Sequence, residues 1–188
     1  MLHEAIRVAA TAHGDQKRKG AELPYIIHPL SVAIILSRAG YPEEAIVAGA
    51  LHDTVEDTAL TLEDIRRGFG DRVAGIVEGC SEPDKSLPWE ARKRHTLDYL
   101  KTASREVRAV SCADKLDNAR SILADKGELG DRVWDRFSRG RDQQKRYYQG
   151  LVASLCNRLN EEVEGSIFHQ FRDVVAELFG AVDGPGGA

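Results

Sequence analysis

Apolar residues recur along this chain with the period of an α-helix. They lie three and four positions apart almost throughout, and no stretch of strand length alternates strictly between apolar and polar residues. This pattern predicts an all-α protein, a helical bundle of about eight to ten helices with little or no strand. We place the helices at about 3–13, 29–40, 42–57, 61–70, 71–80, 89–101, 104–123, 131–155 and 158–179.

Three of the helix starts carry recognisable local signals. Pro42 precedes two glutamates, and proline suits the first helical turn while acidic side chains suit the positive end of the helix dipole. Thr61 and Asp64 match a capping box, and Ser104 is a suitable N-cap for the helix that follows it. These residues predict the points where loop gives way to helix.

The composition fits one globular domain. The chain has 188 residues, of which 42% are hydrophobic, and we predict a single domain over 1–181 with a Gly-rich flexible tail at 182–188. The formal net charge is 26 − 30 = −4 with neutral histidines, so the surface as a whole lacks the basic character that nucleic-acid binding requires. We therefore predict no nucleic-acid partner.

The start of the chain and its cysteines bear on location. No charged N-terminal region precedes an apolar run, and no stretch reaches the roughly 18 apolar residues of a membrane span. Cys80, Cys112 and Cys156 are odd in number and lie in apolar helical contexts, which favours buried reduced thiols over disulfides. We predict a cytoplasmic protein without a membrane partner, for which a homodimer is the assembly to test.

Four polar residues are concentrated near the end of the predicted helix 42–57. His52, Asp53, Glu56 and Asp57 are spaced i, i+1, i+4 and i+5, which places them on adjoining turns of one helix face. Three of them are carboxylates close to the negative end of the helix dipole, and a bound cation would relieve their repulsion. The alternative is a solvated acidic helix end that binds nothing.

Two distant residues extend this cluster into a candidate metal site. His28 precedes Pro29 at the start of a predicted helix, and Asp114 lies beside an apolar stripe, where a buried carboxylate needs a partner. A capping histidine and an ion pair between Asp114 and a buried arginine are the alternatives. Two neutral imidazoles with Asp53 and Asp114 would balance a divalent cation, and these donors suit Mn, Fe, Co or Zn.

The combined pattern resembles the HD superfamily of metal-dependent phosphohydrolases, in which a separate His, a His-Asp pair and a distant Asp occur together. Longer motifs are similar to the RelA/SpoT hydrolase domain and to the stand-alone small alarmone hydrolases. They are Arg18-Lys19, Pro24-Tyr25-Ile26-Ile27-His28-Pro29, Leu51-His52-Asp53-Thr54-Val55-Glu56-Asp57-Thr58, Phe69-Gly70 and Ala113-Asp114-Lys115-Leu116 with Asn118. The resemblance covers roughly the first 125 residues well and the remainder weakly.

This resemblance implies an HD-domain helical bundle that removes the 3′-pyrophosphate from guanosine tetra- or pentaphosphate, normally with Mn. The four residues that would hold the metal by position are His28, His52, Asp53 and Asp114. Glu56 and Asp57 would orient the attacking water and help to deprotonate it.

Further residues are candidates for contact with the substrate. Arg18 and Lys19 match family positions that contact the nucleotide, and Asn118 matches one near the ribose and phosphate. Lys115 is a candidate, with Arg92 and Lys93 as weaker ones, for a cationic rim that offsets the charge of a pyrophosphate. Tyr147 belongs to segment 134–148, whose side chains could contact phosphate or base, or could form an ordinary solvated helix with packed tyrosines.

Several alternatives stay open at the level of sequence. The loop Gly20-Ala21-Glu22-Leu23 departs from the family pattern, which puts guanine preference in question. Another phosphorylated nucleotide, such as NADPH or a nucleoside phosphate, is therefore an alternative substrate. A nucleotide sensor without turnover is a second alternative, against which Glu56 and Asp57 argue because a sensor needs no water-activating pair. A purely structural helical protein is the third.

Overall fold

The computed structural model describes residues 1–82, 86–157 and 166–180. Within these ranges the chain forms ten α-helices and one 3₁₀ helix, Gly130–Arg136, while the extended structure is limited to an isolated bridge between Lys17 and Pro24. The α-helices are α1 Leu2–His13, α2 Ile27–Arg38, α3 Glu43–Leu51, α4 Thr54–Asp57, α5 Leu62–Phe69, α6 Asp71–Cys80, α7 Trp89–Leu100, α8 Arg105–Leu129, α9 Arg141–Leu155 and α10 Ile167–Phe179. The prediction of an all-α protein is confirmed.

The helix starts signalled by Pro42, Thr61 and Ser104 lie where the sequence placed them, whereas α2 begins at Ile27, two residues before the predicted Pro29. The side chain of Thr61 accepts a hydrogen bond from the backbone N–H of Asp64 at 3.2 Å, and Asp64 accepts one in return from the Thr61 N–H at 3.0 Å. Ser104 accepts a hydrogen bond from the N–H of Val107, and Pro42 stands directly before α3. These starts could be predicted because each cap is made by residues close in sequence.

The predicted continuous helix 42–57 is wrong, because the chain turns at His52 and Asp53. The imidazole of His52 donates from Nδ1 to the carbonyl of Gly49 at 2.8 Å, and the hydroxyl of Thr54 donates to the carbonyl of Leu51 at 2.7 Å. Side chains that bond to nearby backbone carbonyls compete with regular helical hydrogen bonds. The helix therefore ends at Leu51 and restarts as the short α4.

The predicted helix 131–155 is also divided. Helix α8 runs to Leu129, six residues beyond Leu123, the last apolar residue assigned to it from the sequence. It is followed by Gly130, whose φ of 59° is accessible mainly to glycine. The 3₁₀ helix follows, and Phe137 is extended, so that α9 begins only at Arg141. Helix α10 begins at Ile167, and the first part of the predicted helix 158–179 lies outside the described residues, as does the predicted tail at 182–188.

Helix α8 is the central element of the bundle, and it packs against α2, α3, α6 and α10. Its apolar stripe is buried as predicted, and Asp114 is carried into the core beside it with only 8% of its surface exposed. The members of that stripe with almost no exposed surface are Val107, Val110, Ala113, Leu116 and Ala119. The packing of α2 and α3 on the same helix brings their polar residues to Asp114.

Cys80, Cys112 and Cys156 form no disulfide, as the sequence predicts. Cys112 is fully buried, whereas Cys80 and Cys156 are partly buried. Among the described residues, no helix combines the length and apolar character that a membrane crossing requires.

Replacement of Gly49 by alanine should destabilise the fold, because α2 and α3 approach closely at this glycine. A methyl group there would lie 2.6 Å from Cδ1 of Leu36 and 3.2 Å from Cγ1 of Val32, and both of these side chains are fully buried. Overpacking of this kind costs about 1–3 kcal/mol. Each kcal/mol lowers the Tm of a protein of this size by about 2–4 °C, which thermal unfolding followed by circular dichroism would measure.

Gly68 provides the matched control for that variant. It lies in α5, and nothing lies within 4 Å of a methyl group placed on it. Gly68→Ala should therefore raise stability by about 0.5–1 kcal/mol through the lower entropy of the unfolded chain. An unchanged Tm in Gly49→Ala would show that α2 and α3 do not pack as closely as described.

Candidate metal centre

Three separate elements supply the polar side chains at the centre of the molecule. His28 lies in the first turn of α2, directly before Pro29. Proline has no backbone N–H, and it is tolerated there because the N–H groups of the first turn have no partner within the helix. His52 and Asp53 lie in the turn between α3 and α4, and Asp114 lies near the middle of α8. Both imidazoles are buried, with 2% and 3% of their surface exposed.

The donor atoms of these four residues converge. Nε2 of His28 lies 3.2 Å from Oδ1 of Asp114 and 3.6 Å from Oδ2 of Asp53. Nε2 of His52 lies 3.1 Å from Oδ2 of Asp53 and 4.0 Å from Oδ1 of Asp114. Ligand atoms of His28, His52 and Asp114 all lie within 4.8 Å of one another.

These separations fit a single metal ion. Two donors that each lie about 2.1 Å from one ion are about 3.0 Å apart when adjacent and about 4.2 Å apart when opposite. Nε2 of His52 is moreover buried and makes no well-aligned hydrogen bond within the described residues, although Oδ2 of Asp53 lies 3.1 Å away. Coordination of a cation would satisfy this nitrogen and the nearby carboxylates together.

The second nitrogen of each imidazole is fixed by a hydrogen bond. Nδ1 of His28 lies 2.6 Å from Oδ2 of Asp117, one turn beyond Asp114 on α8, and Nδ1 of His52 donates to the carbonyl of Gly49. A histidine that donates from Nδ1 has the lone pair of Nε2 available for a metal. Both rings are therefore oriented with Nε2 toward the common centre.

The charges of the cluster are strongly coupled. Burial lowers the pKa of His52, but the carboxylates of Asp53 and Asp114 outweigh it and raise the pKa to about 9. Burial likewise opposes the charged form of each aspartate, yet the nearby imidazoles hold the pKa of Asp53 below its usual value. Lys115 and the imidazoles hold the pKa of Asp114 well below its usual value. The negative carboxylates thus favour positive charge at the centre of the cluster, which is the charge that a bound cation supplies.

Glu56 and Asp57 lie close to this cluster on α4. Together with His52, Asp53 and Asp114 they line a cavity of about 250 Å³, which we call the inner cavity. Its remaining lining includes Cys80, Glu82, Arg92, Lys93, Thr96, Lys115 and Tyr147. The two acidic residues therefore face the same space as three of the four candidate ligands.

A larger cavity of about 600 Å³, the outer cavity, opens on the His28 side of the cluster. Arg18 and Lys19 line it, and the guanidinium of Arg18 donates a 2.8 Å hydrogen bond to Oδ1 of Asn118. Asn118 in turn donates from Nδ2 to Oδ1 of Asp114 at 2.6 Å. Three of the five predicted substrate contacts are thus brought together next to the candidate ligands.

Lys115 and Tyr147 lie on the other side, in the wall of the inner cavity. Nζ of Lys115 is 2.7 Å from Oδ2 of Asp114, and although burial opposes the charge, Asp114 raises the lysine pKa well above its usual value. Burial raises the pKa of Tyr147 to about 12, and its ring packs edge-on against Trp89. Lys115 therefore holds the oxygen of Asp114 that is turned away from His28.

Tyr25 and Asp117 contact the cluster but had no predicted role. The hydroxyl of Tyr25 donates to Oδ2 of Asp53 at 2.5 Å, and Asp117 orients His28 as described above. The one available signal for Asp117 is its position three residues after Asp114, on the same face of a helix. The contact of Tyr25 depends on the packing of its loop against α4.

The comparison with known proteins identifies the family. A match to the HD domain covers residues 5–138. The chain belongs to the HD-domain family. The prediction made from the histidine and aspartate pattern is confirmed at this level.

Individual relatives of this HD-domain protein are similar over almost their whole length. The Xenopus tropicalis protein named guanosine-3′,5′-bis(diphosphate) 3′-pyrophosphohydrolase MESH1 is 38% identical over 178 residues, which are 92% of this chain and 94% of that one. A metazoan ortholog of SpoT, described as hydrolysing ppGpp with a role in starvation responses, is 30% identical with a TM-score of 0.74, covering 94% of this chain and 93% of that one. A crystal structure from Listeria monocytogenes EGD-e is 44% identical with a TM-score of 0.74, covering 83% of this chain and 98% of that one.

Proposed function

We propose that this protein is a metal-dependent 3′-pyrophosphohydrolase of guanosine tetra- and pentaphosphate. The observation that carries the proposal is the convergence of four donor side chains between the outer cavity, lined by Arg18 and Lys19, and the inner cavity, lined by Glu56 and Asp57. Full-length similarity to proteins that bear this activity in their names supports the substrate. A purely structural helical bundle would not need four potential metal ligands to converge at its centre.

The residues that would hold the metal are His28, His52, Asp53 and Asp114. Their mixed nitrogen and oxygen donors suit Mn, and Fe, Co and Zn are compatible with the same set. When bound, a divalent ion supplies Lewis-acid activation of a water molecule and of the phosphate that is attacked. Asp117 and the Gly49 carbonyl keep the two imidazoles in the orientation that this role needs.

The nucleoside half of the substrate fits the outer cavity. Arg18 and Lys19 supply positive charge to its 5′ phosphates, and Asn118 lies between Arg18 and Asp114, where the ribose meets the metal centre. Ala21 and Leu23, from the loop that departs from the family pattern, also line this cavity. The loop is therefore placed to influence which base is accepted.

Glu56 and Asp57 act on the attacking water from the inner cavity, on the side of the metal centre opposite to the nucleoside. The water oxygen attacks the phosphorus attached to the 3′ oxygen, and Glu56 or Asp57 accepts the proton that the water loses. The bond between phosphorus and the 3′ oxygen breaks, and its electron pair stays on that oxygen, which takes up a proton. The products of guanosine tetraphosphate are GDP and inorganic pyrophosphate.

Product analysis over a panel of nucleotides tests the proposal. The panel contains guanosine tetra- and pentaphosphate, NADPH and simple nucleoside phosphates, each incubated with Mn, Mg, Zn or no metal. We expect GDP or GTP together with pyrophosphate from the two guanosine substrates, and only with a metal. Release of orthophosphate from NADPH alone would instead favour the alternative substrate, and nucleotide binding without products would favour a sensor.

The cytoplasmic location and the homodimer stay predictions. Size-exclusion chromatography with light scattering would give the oligomeric state directly.

A further inference from the structure

The inner cavity contains a cationic pair that the proposed chemistry has not yet used. Arg92 and Lys93 lie side by side on α7, and both line this cavity. Both also bind one carboxylate, that of Glu82: Nζ of Lys93 is 2.5 Å from Oε1, and Nη1 of Arg92 contacts Oε2. Each oxygen of Glu82 thus has its own cation.

This ion-pair cluster is largely shielded from solvent. The side chain of Glu82 is 12% exposed, and those of Arg92 and Lys93 are 23% and 22% exposed. Burial alone would raise the pKa of Glu82, but the two cations lower it below its usual value, so the carboxylate is charged at neutral pH. Nε of Arg92 is buried and makes no hydrogen bond within the described part of the chain.

Lys115, the other described cationic residue of the inner cavity, already forms an ion pair. Lys115 is ion-paired with Asp114, and removing it would disturb a candidate metal ligand. The 3′-pyrophosphate group, which carries several negative charges, enters a space that Glu56 and Asp57 make acidic. Arg92 and Lys93 are the described cations that can offset this charge without disturbing the metal centre.

We infer that Arg92 and Lys93 form the binding site of the substrate's 3′-pyrophosphate group and of the pyrophosphate product, and that the Glu82 carboxylate fills this site until the phosphate oxygens displace it. The inference rests on the proposed function for the identity of the ligand. It assigns the two ends of the substrate to opposite sides of the metal centre, with the nucleoside in the outer cavity and the pyrophosphate in the inner one. Glu82 acts as a competing anion that prevents an empty cationic site from being buried.

Equilibrium binding of inorganic pyrophosphate tests this inference without any turnover. Calorimetric titrations would compare Lys93→Gln and Glu82→Gln with the wild type, all saturated with the same excess of Mn²⁺. Arg94→Gln and Glu90→Gln are the matched controls, because both residues lie on α7 and are exposed and outside the inner cavity. Binding of GDP would be measured in parallel, since this product belongs in the outer cavity.

Lys93→Gln should raise the Kd for pyrophosphate about tenfold, because a charge-assisted bond from a shielded ammonium is lost. Lys93→Arg should restore most of that loss. Glu82→Gln should lower the Kd at least about threefold, because a binding site that is blocked for most of the time binds more weakly than a free one. The controls and the Kd for GDP should change by less than about twofold.

Weaker or unchanged pyrophosphate binding in Glu82→Gln would overturn the inference, as would an equal effect of Lys93→Gln and Arg94→Gln. These outcomes are independent of the nucleotide panel. Absence of guanosine tetraphosphate hydrolysis together with the expected pattern of Kd values would overturn the proposed function and leave the pyrophosphate site in place.

Discussion

Asp53→Ala should abolish both metal binding and turnover in a protein that still folds. Oδ2 of Asp53 lies 3.1 Å from Nε2 of His52 and 3.6 Å from Nε2 of His28, so one oxygen serves both imidazoles. Its loss also removes half of the negative charge that offsets a divalent ion. Loss of a residue that only orients a ligand costs about 10–100-fold in metal affinity, and loss of a ligand should cost more.

The measurements for this variant are metal content by mass spectrometry and Mn²⁺ affinity by calorimetry. Added Mn²⁺ should raise the Tm of the wild type, because it binds the folded state, and should leave the Tm of Asp53→Ala unchanged. Asp131→Ala is the control, since Asp131 is exposed and distant in sequence from all four candidate ligands. Retention of one metal per chain in Asp53→Ala would contradict the assignment of this residue as a ligand.

The parts of the fold that could be predicted from sequence are those fixed by neighbouring residues. The stripe on α8 buries Val110 and Leu116 because a helical period places them on one face, and the Thr61 cap forms between residues three apart. The break in the helix after Leu51 could not be predicted from the periodic pattern. It arises because the side chains of His52 and Thr54 take carbonyls of the preceding turn, which no periodic pattern records.

The candidate site was predicted by resemblance more than by pattern. Spacing alone placed His52, Asp53, Glu56 and Asp57 on one continuous helix face, which is wrong because a turn separates α3 from α4. The four residues nevertheless line one cavity, since the turn and the short α4 face the same space. The convergence of His28 with Asp114 depends on how α2 packs against α8, and this packing cannot be predicted from the spacing of residues in the sequence.

The residues without a predicted role share one physical feature. Tyr25, Glu82 and Asp117 each contact a functional residue that is distant in the chain, through a contact made only when separate elements pack. Tyr25 reaches Asp53, for example, across 28 positions. Contacts of this kind are set by tertiary structure, and a single sequence gives no measure of them.

Glu56→Gln and Asp57→Asn should keep the metal and lose most of the rate. Both side chains line the inner cavity with His52, Asp53 and Asp114, and both lie on α4, directly after the turn that carries His52 and Asp53. Loss of a general base lowers kcat by about 10²–10⁴-fold. We therefore expect wild-type metal content with a kcat reduced within that range, measured by chromatography of GDP.

The dependence of this defect on pH separates a base from a structural residue. Hydroxide from solvent replaces a missing base more effectively as the pH rises, so the ratio of wild-type to variant kcat should fall from pH 7 to pH 9. A residue that only supports the fold would give a ratio independent of pH and a lower Tm. Glu63→Gln, on the exposed surface of α5, is the control for the change of charge. Metal loss in Glu56→Gln equal to that in Asp53→Ala would contradict the division between residues that hold the ion and residues that act on the water.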